Sequence, residues 1–329
     1  MISANRLYKS LQRALSFFNP AVIVASAALV ATPVYSVEPT LAETSPKLIL
    51  VTGATGKQGG AVARELLRRG YRVRGLTRNA GSKRALALMA LGIEMIQGDF
   101  DNPGTILNAL EGTYGAFSVQ NYWEHGKTAE IRQGVSFANA ALAAGVAHMV
   151  YSSVAHANES TGIAHFDSKY KIEEHIRMIG VPYTILRPVS FMENWEYARN
   201  DILAGHLTTP FSSQTRRQQI SVNDIGRFVG QAFDNPDDWL GVSLDIAGDE
   251  FSMADARDIM QRVIGRPVSY RQIPWAEHRE KEGAEMTTMD RWIDKTGYHV
   301  DLELMREIMP GLISLEEYLR ENGWGDAED

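Results

Sequence analysis

The chain has 329 residues, of which 44% are hydrophobic and 22% charged, and it carries a formal net charge of −7 and no cysteine. That length accommodates one large α/β domain, or an α/β core with a smaller appended lobe. The acidic balance argues against a nucleic-acid partner, because binding a phosphate backbone requires cations. The lack of cysteine excludes disulfides, thiolate metal sites and thiol redox sensing, and we predict no metal site.

The first 45 residues differ in character from the rest of the chain. Residues 1–20 are basic and contain no acid, residues 21–31 form an apolar run, and a possible cleavage point follows at 34–36. The apolar run is too short to span a bilayer comfortably, and this order of parts is typical of a signal peptide. A transit peptide, an uncleaved anchor and a misassigned start codon stay open as alternatives. We expect membrane contact only through this segment, if it is uncleaved.

Strands and helices alternate from residue 47 onward. The pattern of short apolar runs predicts strands at 47–53, 71–78, 93–99, 113–119, 146–154 and 181–189. Amphipathic stretches predict helices between them at 57–70, 82–92, 105–112, 128–145 and 167–180. Because parallel strands need helical crossovers, this alternation predicts an α/β fold with a Rossmann-type doubly wound parallel sheet.

The alternation loosens after residue 190. We predict one nucleotide-binding domain over 46–329, with its Rossmann core at 46–190 and a smaller, mostly helical lobe over 191–329. Within that lobe we expect a helix capped near Asn223 or Asp224 and another capped by Ser252. A late helix is predicted at 314–324. The crevice between lobe and sheet would then hold the ligand.

The stretch "VTGATGKQGG" at 51–60 places three glycines between a strand and a helix. Gly53 permits a tight turn, Gly56 lets the backbone approach a pyrophosphate, and Gly59 lets the helix pack close to the strand. The helix N-terminus offers free N–H groups and a positive dipole end. A tight turn that binds nothing is the alternative, but the strand–turn–helix context predicts a dinucleotide site.

Charge at the end of the second strand predicts which dinucleotide binds. NAD binders place an acid there for the ribose 2′-hydroxyl, yet no acid lies between Glu65 and Glu94. Arg78 follows the strand, and a guanidinium can pair with a 2′-phosphate. The polar and basic residues that come next are Asn79, Ser82, Lys83 and Arg84. We therefore predict NADP(H) rather than NAD(H), with a solvated surface role for Arg78 as the alternative.

Two further strand ends carry polar and aromatic residues at the same rim of the sheet, where open α/β sheets bind ligands. After the third strand, Asp99 can bond adenine or a backbone donor and Phe100 can lie beside the adenine ring. Asp101 as a helix N-cap is the plainer interpretation of part of this motif. After the fourth strand comes "QNYWE" at 120–124, whose aromatic residues could also serve only in packing.

Short-chain reductases carry Tyr-x-x-x-Lys on the helix after strand five, where four residues put both groups on one helix face. In this chain no tyrosine precedes any lysine by four positions, and "HFDSK" places His165 and Lys169 at the two positions. His165 can replace the tyrosine as an acid, or the proton relay is lost and Lys169 binds ribose only. A third interpretation makes His165 a helix-start residue. Ser152 and Ser153 keep hydroxyl groups at the end of strand five.

The combination of "GATGKQGG", "QGDFDN", "NYWE", "HFDSK" and "GVPYTILRP" resembles the NmrA-like family, a branch of atypical short-chain dehydrogenase/reductases, over residues 47–324. It resembles most closely the redox-sensor proteins of the HSCARG type. This resemblance implies NADP(H) binding, no working catalytic tyrosine, and a response to the NADPH/NADP balance through a protein partner.

The resemblance also implies a set of cofactor contacts along the groove. Around the phosphates and the 2′-phosphate it implies Gly53, Ala54, Thr55, Gly56, Lys57, Gln58, Gly59 and Arg78. Along the adenosine and dinucleotide it implies Asp99, Phe100, Gln120, Asn121, Tyr122 and the basic contact Arg132. At the nicotinamide end it implies Lys169, Phe191, Met192, Glu193 and Asn194. Ser82 departs from the family, which has a basic residue there, and Lys83 can stand in for it.

Two functions follow from these observations. The missing tyrosine and the family likeness favour an NADP(H)-binding sensor or regulator with a protein partner. The retained Lys169 and the two serines favour an NADPH-dependent reductase of a small carbonyl or quinone. A purely structural role is the third alternative. The N-terminal segment favours export or organelle targeting, whereas an NADP(H)-binding domain suits the cytoplasm.

Overall fold

The computed structural model describes residues 46–325. The predicted signal segment lies outside the described residues, so the targeting and membrane expectations attached to it stay predictions. Among residues 46–325 no helix is long and apolar enough to cross a membrane.

The secondary structure begins two residues into the described part. The strands are β1 Leu48–Val51, β2 Arg72–Thr77, β3 Glu94–Gln97, β4 Gly115–Ser118, β5 His148–Ser152, β6 Tyr183–Pro188, β7 Ser190–Phe191, β8 His206–Thr209, β9 Arg216–Ile220, β10 Ser243–Ile246, β11 Asp249–Ser252 and β12 Ser269–Gln272. The α-helices are α1 Lys57–Arg68, α2 Lys83–Ala90, α3 Pro103–Leu110, α4 Tyr122–Ala143, α5 Ala164–Ile179, α6 Arg199–Leu203, α7 Val222–Asp234, α8 Pro236–Trp239, α9 Met253–Ile264, α10 Trp275–Lys295, α11 Leu302–Ile308 and α12 Leu315–Glu321. A 3₁₀ helix at Met192–Ala198 precedes α6.

A seven-stranded sheet in the order β10-β6-β5-β4-β1-β2-β3 forms the centre of the fold. Every neighbouring pair in it is parallel. Alternate residues of one strand enter different cores: Ile49 and Val51 join the cluster that contains α1 and α7, while Leu50 joins the cluster that contains α3, α4 and α5. A sheet buried on both faces needs such doubly apolar strands. The predicted doubly wound α/β fold is confirmed.

The chain after residue 190 contains more strand than the sequence suggested. β10 returns to the central sheet beside β6, and α7 packs against α1. The remaining segments form two small sheets, β11-β9-β7 and β12-β8, with α9 to α12 around them. Part of this stretch therefore completes the core, and the rest lies over the carboxyl ends of the central strands as one wall of a cavity.

Several helix starts differ from the sequence predictions. α4 begins six residues early, at Tyr122, because a short turn joins it across the non-helical Gly126, whose φ is 75°. α5 begins at Ala164 rather than 167. The cap of α7 is Ser221, which accepts a hydrogen bond from the Asn223 amide, rather than Asn223 or Asp224. The predicted cap at Ser252 is confirmed, with a full capping box to Asp255.

Candidate functional site

The turn between β1 and α1 is shaped by its glycines. Gly53 has a φ of 60°, and its carbonyl accepts a hydrogen bond of 2.8 Å from the Gly56 amide. A Cβ on Gly59 would stand 2.3 Å from the Gly53 oxygen, so only glycine lets the helix lie this close to the strand. No side chain caps the N-terminus of α1. Its first amides and its dipole are therefore available to an anion.

A single cavity of about 1240 Å³ extends from this turn to α10. Most of the residues proposed for the cofactor line it, as does His165, which was proposed as a catalytic residue. They are Gly53, Thr55, Gly56, Lys57, Gln58, Gly59, Arg78, Asn79, Ser82, Asp99, Phe100, Gln120, Asn121, Tyr122, His165, Lys169, Phe191 and Asn194. The volume exceeds the upper end of the usual range for ligand pockets.

Five proposed residues lie off the cavity wall. Ala54 and Met192 are buried in the core. Lys83 points away, and Arg84 lines the groove in its place. Arg132 forms an exposed ion pair of 2.7 Å with Asp101. The fifth, Glu193, is described next.

Glu193 lies behind the wall because its carboxylate serves α7. Oε1 accepts hydrogen bonds from the Val222 amide at 3.0 Å and from Ser221 Oγ at 3.2 Å. Burial raises the pKa of this carboxyl. Its main-chain oxygen accepts a 2.8 Å hydrogen bond from Lys57 Nζ, which joins the glycine turn to this segment. Glu193 thus holds the groove together rather than facing it.

The end of β2 presents a guanidinium to the groove, as the sequence predicts. Arg78 Nη2 lies 2.7 Å from Glu124 Oε1, and the arginine side chain is 60% exposed. The hydrogen bond and charge of Glu124 raise the pKa of Arg78. The sequence did not indicate this partner, which α4 supplies from the far side of the groove. An incoming 2′-phosphate would compete with a carboxylate for the same guanidinium.

Lys169 is held by a buried carboxylate. Its Nζ donates to Glu130 Oε1 at 2.8 Å and to the main-chain oxygen of Gln120 at 3.4 Å. Ser168 Oγ donates to the other oxygen of Glu130. These contacts fix the ammonium group at the cavity wall, where the carboxyl ends of β4 and β5 meet. Close by, Gln58 Nε2 donates a 2.6 Å hydrogen bond to Ser152 Oγ.

His165 is paired with a residue of α10. Glu285 Oε1 lies 2.7 Å from His165 Nδ1 and also accepts the His165 amide at 3.0 Å. Burial lowers the pKa of the imidazole, although Glu285 opposes that effect. Since a carboxylate only accepts, Nδ1 carries the hydrogen and Nε2 accepts in the neutral ring. The rings of Tyr122 and Trp123 pack against it. This arrangement can hold and release a proton.

The far end of the cavity was not predicted. α10 supplies His278 and Asp290, whose Nε2 and Oδ2 lie 2.8 Å apart, and β9 supplies Arg217. The helix is interrupted at Gly283, with φ 83°, so a simple helical period does not place these residues on one face. The only local signal is the pair Arg216–Arg217, of which strand alternation turns one outward and one inward.

Comparison with known proteins agrees with this fold. The model of the NmrA-like family matches residues 45–319. The chain belongs to the NmrA-like family. The predicted family resemblance is thereby confirmed, while the likeness to the HSCARG type stays a prediction.

Among relatives, an NmrA-like family domain-containing oxidoreductase, FrzB of Cladobotryum sp, is 36% identical over 160 residues, which are 45% of this chain and 48% of FrzB. The match thus spans about half of that relative's length. Among solved structures, triphenylmethane reductase of Citrobacter sp. in complex with NADP(H) gives a TM-score of 0.72 at 21% identity, over 84% of this chain and 99% of that one. NmrA, a negative transcriptional regulator in complex with NAD, gives 0.70 at 20%, over 84% and 95%. Both structures share the fold of this NmrA-like chain.

Proposed function

We propose that this NmrA-like protein binds NADP(H) in the groove and uses it to reduce a small carbonyl or quinone substrate. The observation that carries this proposal is the shape of the cavity. It continues past Lys169 and His165, where the nicotinamide end is predicted, to ionisable groups on β9 and α10. A protein that only sensed a dinucleotide would not require that second compartment.

The residues of the turn fit a dinucleotide. Gly56 and Gly59 let the turn fold tightly against the Gly53 carbonyl, and the uncapped start of α1 offers amides to a pyrophosphate. Proteins that share this fold bind one or the other cofactor: the Citrobacter reductase is complexed with NADP(H), and NmrA with NAD. The choice of NADP(H) rests here on Arg78 and Arg84 at the groove and on the lack of an acid at the end of β2.

Reduction of a carbonyl requires a hydride at carbon and a proton at oxygen. The dinucleotide, when bound, would supply the hydride. The protein's part is to position the ribose through Lys169 and to deliver the proton from His165, with Glu285 stabilising the imidazolium that donates it. The product is the alcohol or, from a quinone, the hydroquinone, since one hydride and one proton supply both added hydrogens.

The test is oxidation of NADPH by the full-length protein with a panel of quinones and aldehydes, followed as loss of nicotinamide absorbance. We expect turnover that disappears in Lys169→Ala. Lys171→Ala is the matched control, since Lys171 lies on the same helix but pairs with Glu174 at the surface. Absence of turnover across the panel, with NADPH bound, would contradict the proposal.

A second candidate is an NADP(H)-dependent regulator, and one observation favours it. The ammonium of Lys169 is bound to Glu130, and no tyrosine occupies the position four residues before it. NADPH binding without turnover, together with capture of a protein partner that depends on the NADPH/NADP ratio, would support the regulator. This candidate keeps the cofactor contacts given above but assigns no substrate to the far end of the cavity.

A further inference from the structure

Arg217 is an unpaired cation in the wall of the cavity. Its side chain keeps only partial exposure, its Nε is fully enclosed without a hydrogen-bond partner, and no ion pair of residues 46–325 involves it. Burial lowers its pKa, but a guanidinium stays charged at neutral pH. A buried charge without a partner costs free energy. The fold therefore holds at this place a cation whose charge a bound anion would compensate.

The neighbours of Arg217 leave one side of it free. Phe211 covers a face of the guanidinium, with 4.6 Å from Cζ to the ring centroid. The acid that most influences it is Asp290, yet Asp290 Oδ2 is bound to His278 Nε2 at 2.8 Å. Stacking on a ring leaves the N–H edge of the guanidinium available. That edge is the part that binds a carboxylate with two parallel hydrogen bonds.

We propose that Arg217 binds a carboxylate of the substrate, and that the substrate is an apolar carboxylic acid that carries a reducible carbonyl or quinone. The apolar body is implied by the apolar residues that line the same cavity, which include Phe211 against Arg217 and also Leu207, Ile273, Met286 and Met289. The term substrate rests on the reductase function proposed above, whereas the anion site does not. The phosphates of a dinucleotide belong at the glycine turn, so they do not account for this cation.

The test compares two probes of one shape on the full-length protein saturated with NADPH. By calorimetry, 2-naphthoate should bind about 10- to 100-fold more tightly than the neutral 2-naphthamide, as charge-assisted hydrogen bonds are worth that factor. Arg217→Gln should abolish the preference. Arg216→Gln is the matched control, because Arg216 is the next residue on β9 but pairs at the surface with Glu250 at 2.7 Å.

The NADPH affinity of each variant shows whether it is folded. If Arg217→Gln does not fold, Arg217→Lys keeps the cation and should keep the preference for the acid. Equal binding of acid and amide to the wild-type protein, or no heat from either, overturns the proposal whatever the variants do.

The same data separate this proposal from the reductase function. An acid preference that depends on Arg217, without oxidation of NADPH by any carbonyl, would sustain the anion site and reject the reductase. Reduction of carbonyls together with equal binding of acid and amide would sustain the reductase and reject the anion site.

Discussion

The two ends of the cavity are built in different ways. At the dinucleotide end, backbone shape does the binding: Gly53, Gly56 and Gly59 form a turn, and a helix N-terminus supplies amides and a dipole. At the other end, side chains from β9 and α10 converge from distant parts of the chain. Backbone sites are encoded by a few adjacent residues, whereas side-chain sites depend on the whole fold. The first end should therefore be sensitive to added volume and the second to lost charge.

The largest predicted effect is that of His165→Asn, which should lower catalysis and leave cofactor binding unchanged. If His165 donates the proton, kcat for a carbonyl should fall about 10²- to 10⁴-fold, while the affinity for NADPH stays unchanged. Stopped-flow and calorimetric measurements give the two quantities. His175→Asn is the control, because His175 lies on the same helix and bonds only Asn139 at the surface. An unchanged kcat would remove His165 from the mechanism.

The pH profile tests the same residue. The donor is the imidazolium, and burial lowers its pKa, so kcat/KM should rise as the pH falls and level off on the acid side of neutrality. Glu285 opposes the lowering. Glu285→Gln should therefore move the profile to still lower pH. A shift of the profile to higher pH would show that Glu285 does not stabilise the imidazolium of His165.

Added side-chain volume at the glycine turn should weaken NADPH binding. In Gly59→Ala the new Cβ would stand 2.3 Å from the Gly53 oxygen, so α1 must move away from β1. Loss of two charge-assisted amide bonds to phosphate would weaken NADPH binding about 100-fold. Gly104→Ala is the control, since its Cβ would meet nothing closer than 3.6 Å. Undiminished NADPH affinity in the folded Gly59→Ala protein would place the phosphates elsewhere.

Much of the first end was predictable from sequence, and for a physical reason. The glycine spacing, the strand before it and the helix after it are local, so "VTGATGKQGG" alone indicated the turn. Arg78 was predicted in the same way. Its ion pair with Glu124 was not, because the partner comes from α4, whose early start depends on the turn at Gly126.

The second end could not be predicted because its residues are far apart in sequence. Glu285 meets His165 across 120 positions, and Asp290 meets His278 across the break at Gly283. Neither contact follows from a period or a motif. For Arg217 the only local signal is strand alternation beside Arg216, which does not say which of the two faces inward; Arg216 pairs at the surface.

Two substitutions at the end of β2 and on α4 should change the affinity for NADPH in opposite directions. Arg78→Ala should weaken NADPH about 10- to 100-fold and leave NADH nearly unchanged, because only the 2′-phosphate meets the guanidinium. Glu124→Gln should instead tighten NADPH a few-fold, since an exposed ion pair is worth at most about 1 kcal/mol and its carboxylate competes with the phosphate. Glu94→Gln, which breaks the pair with Arg74 outside the groove, is the control. Equal losses of NADPH and NADH would defeat the assignment of Arg78.

Two arginines are expected to differ in their effect on stability. Arg187 donates to both oxygens of the buried Glu173, at 2.8 and 2.6 Å, so Arg187→Met should destabilise the fold by about 3–5 kcal/mol. Arg217 has no such partner, and Arg217→Met should raise Tm by about 2–4 °C, because it removes an uncompensated charge and adds apolar surface. Thermal unfolding measures both. A lower Tm for Arg217→Met would mean that the guanidinium holds the lobe together, and that its charge is already balanced within the protein.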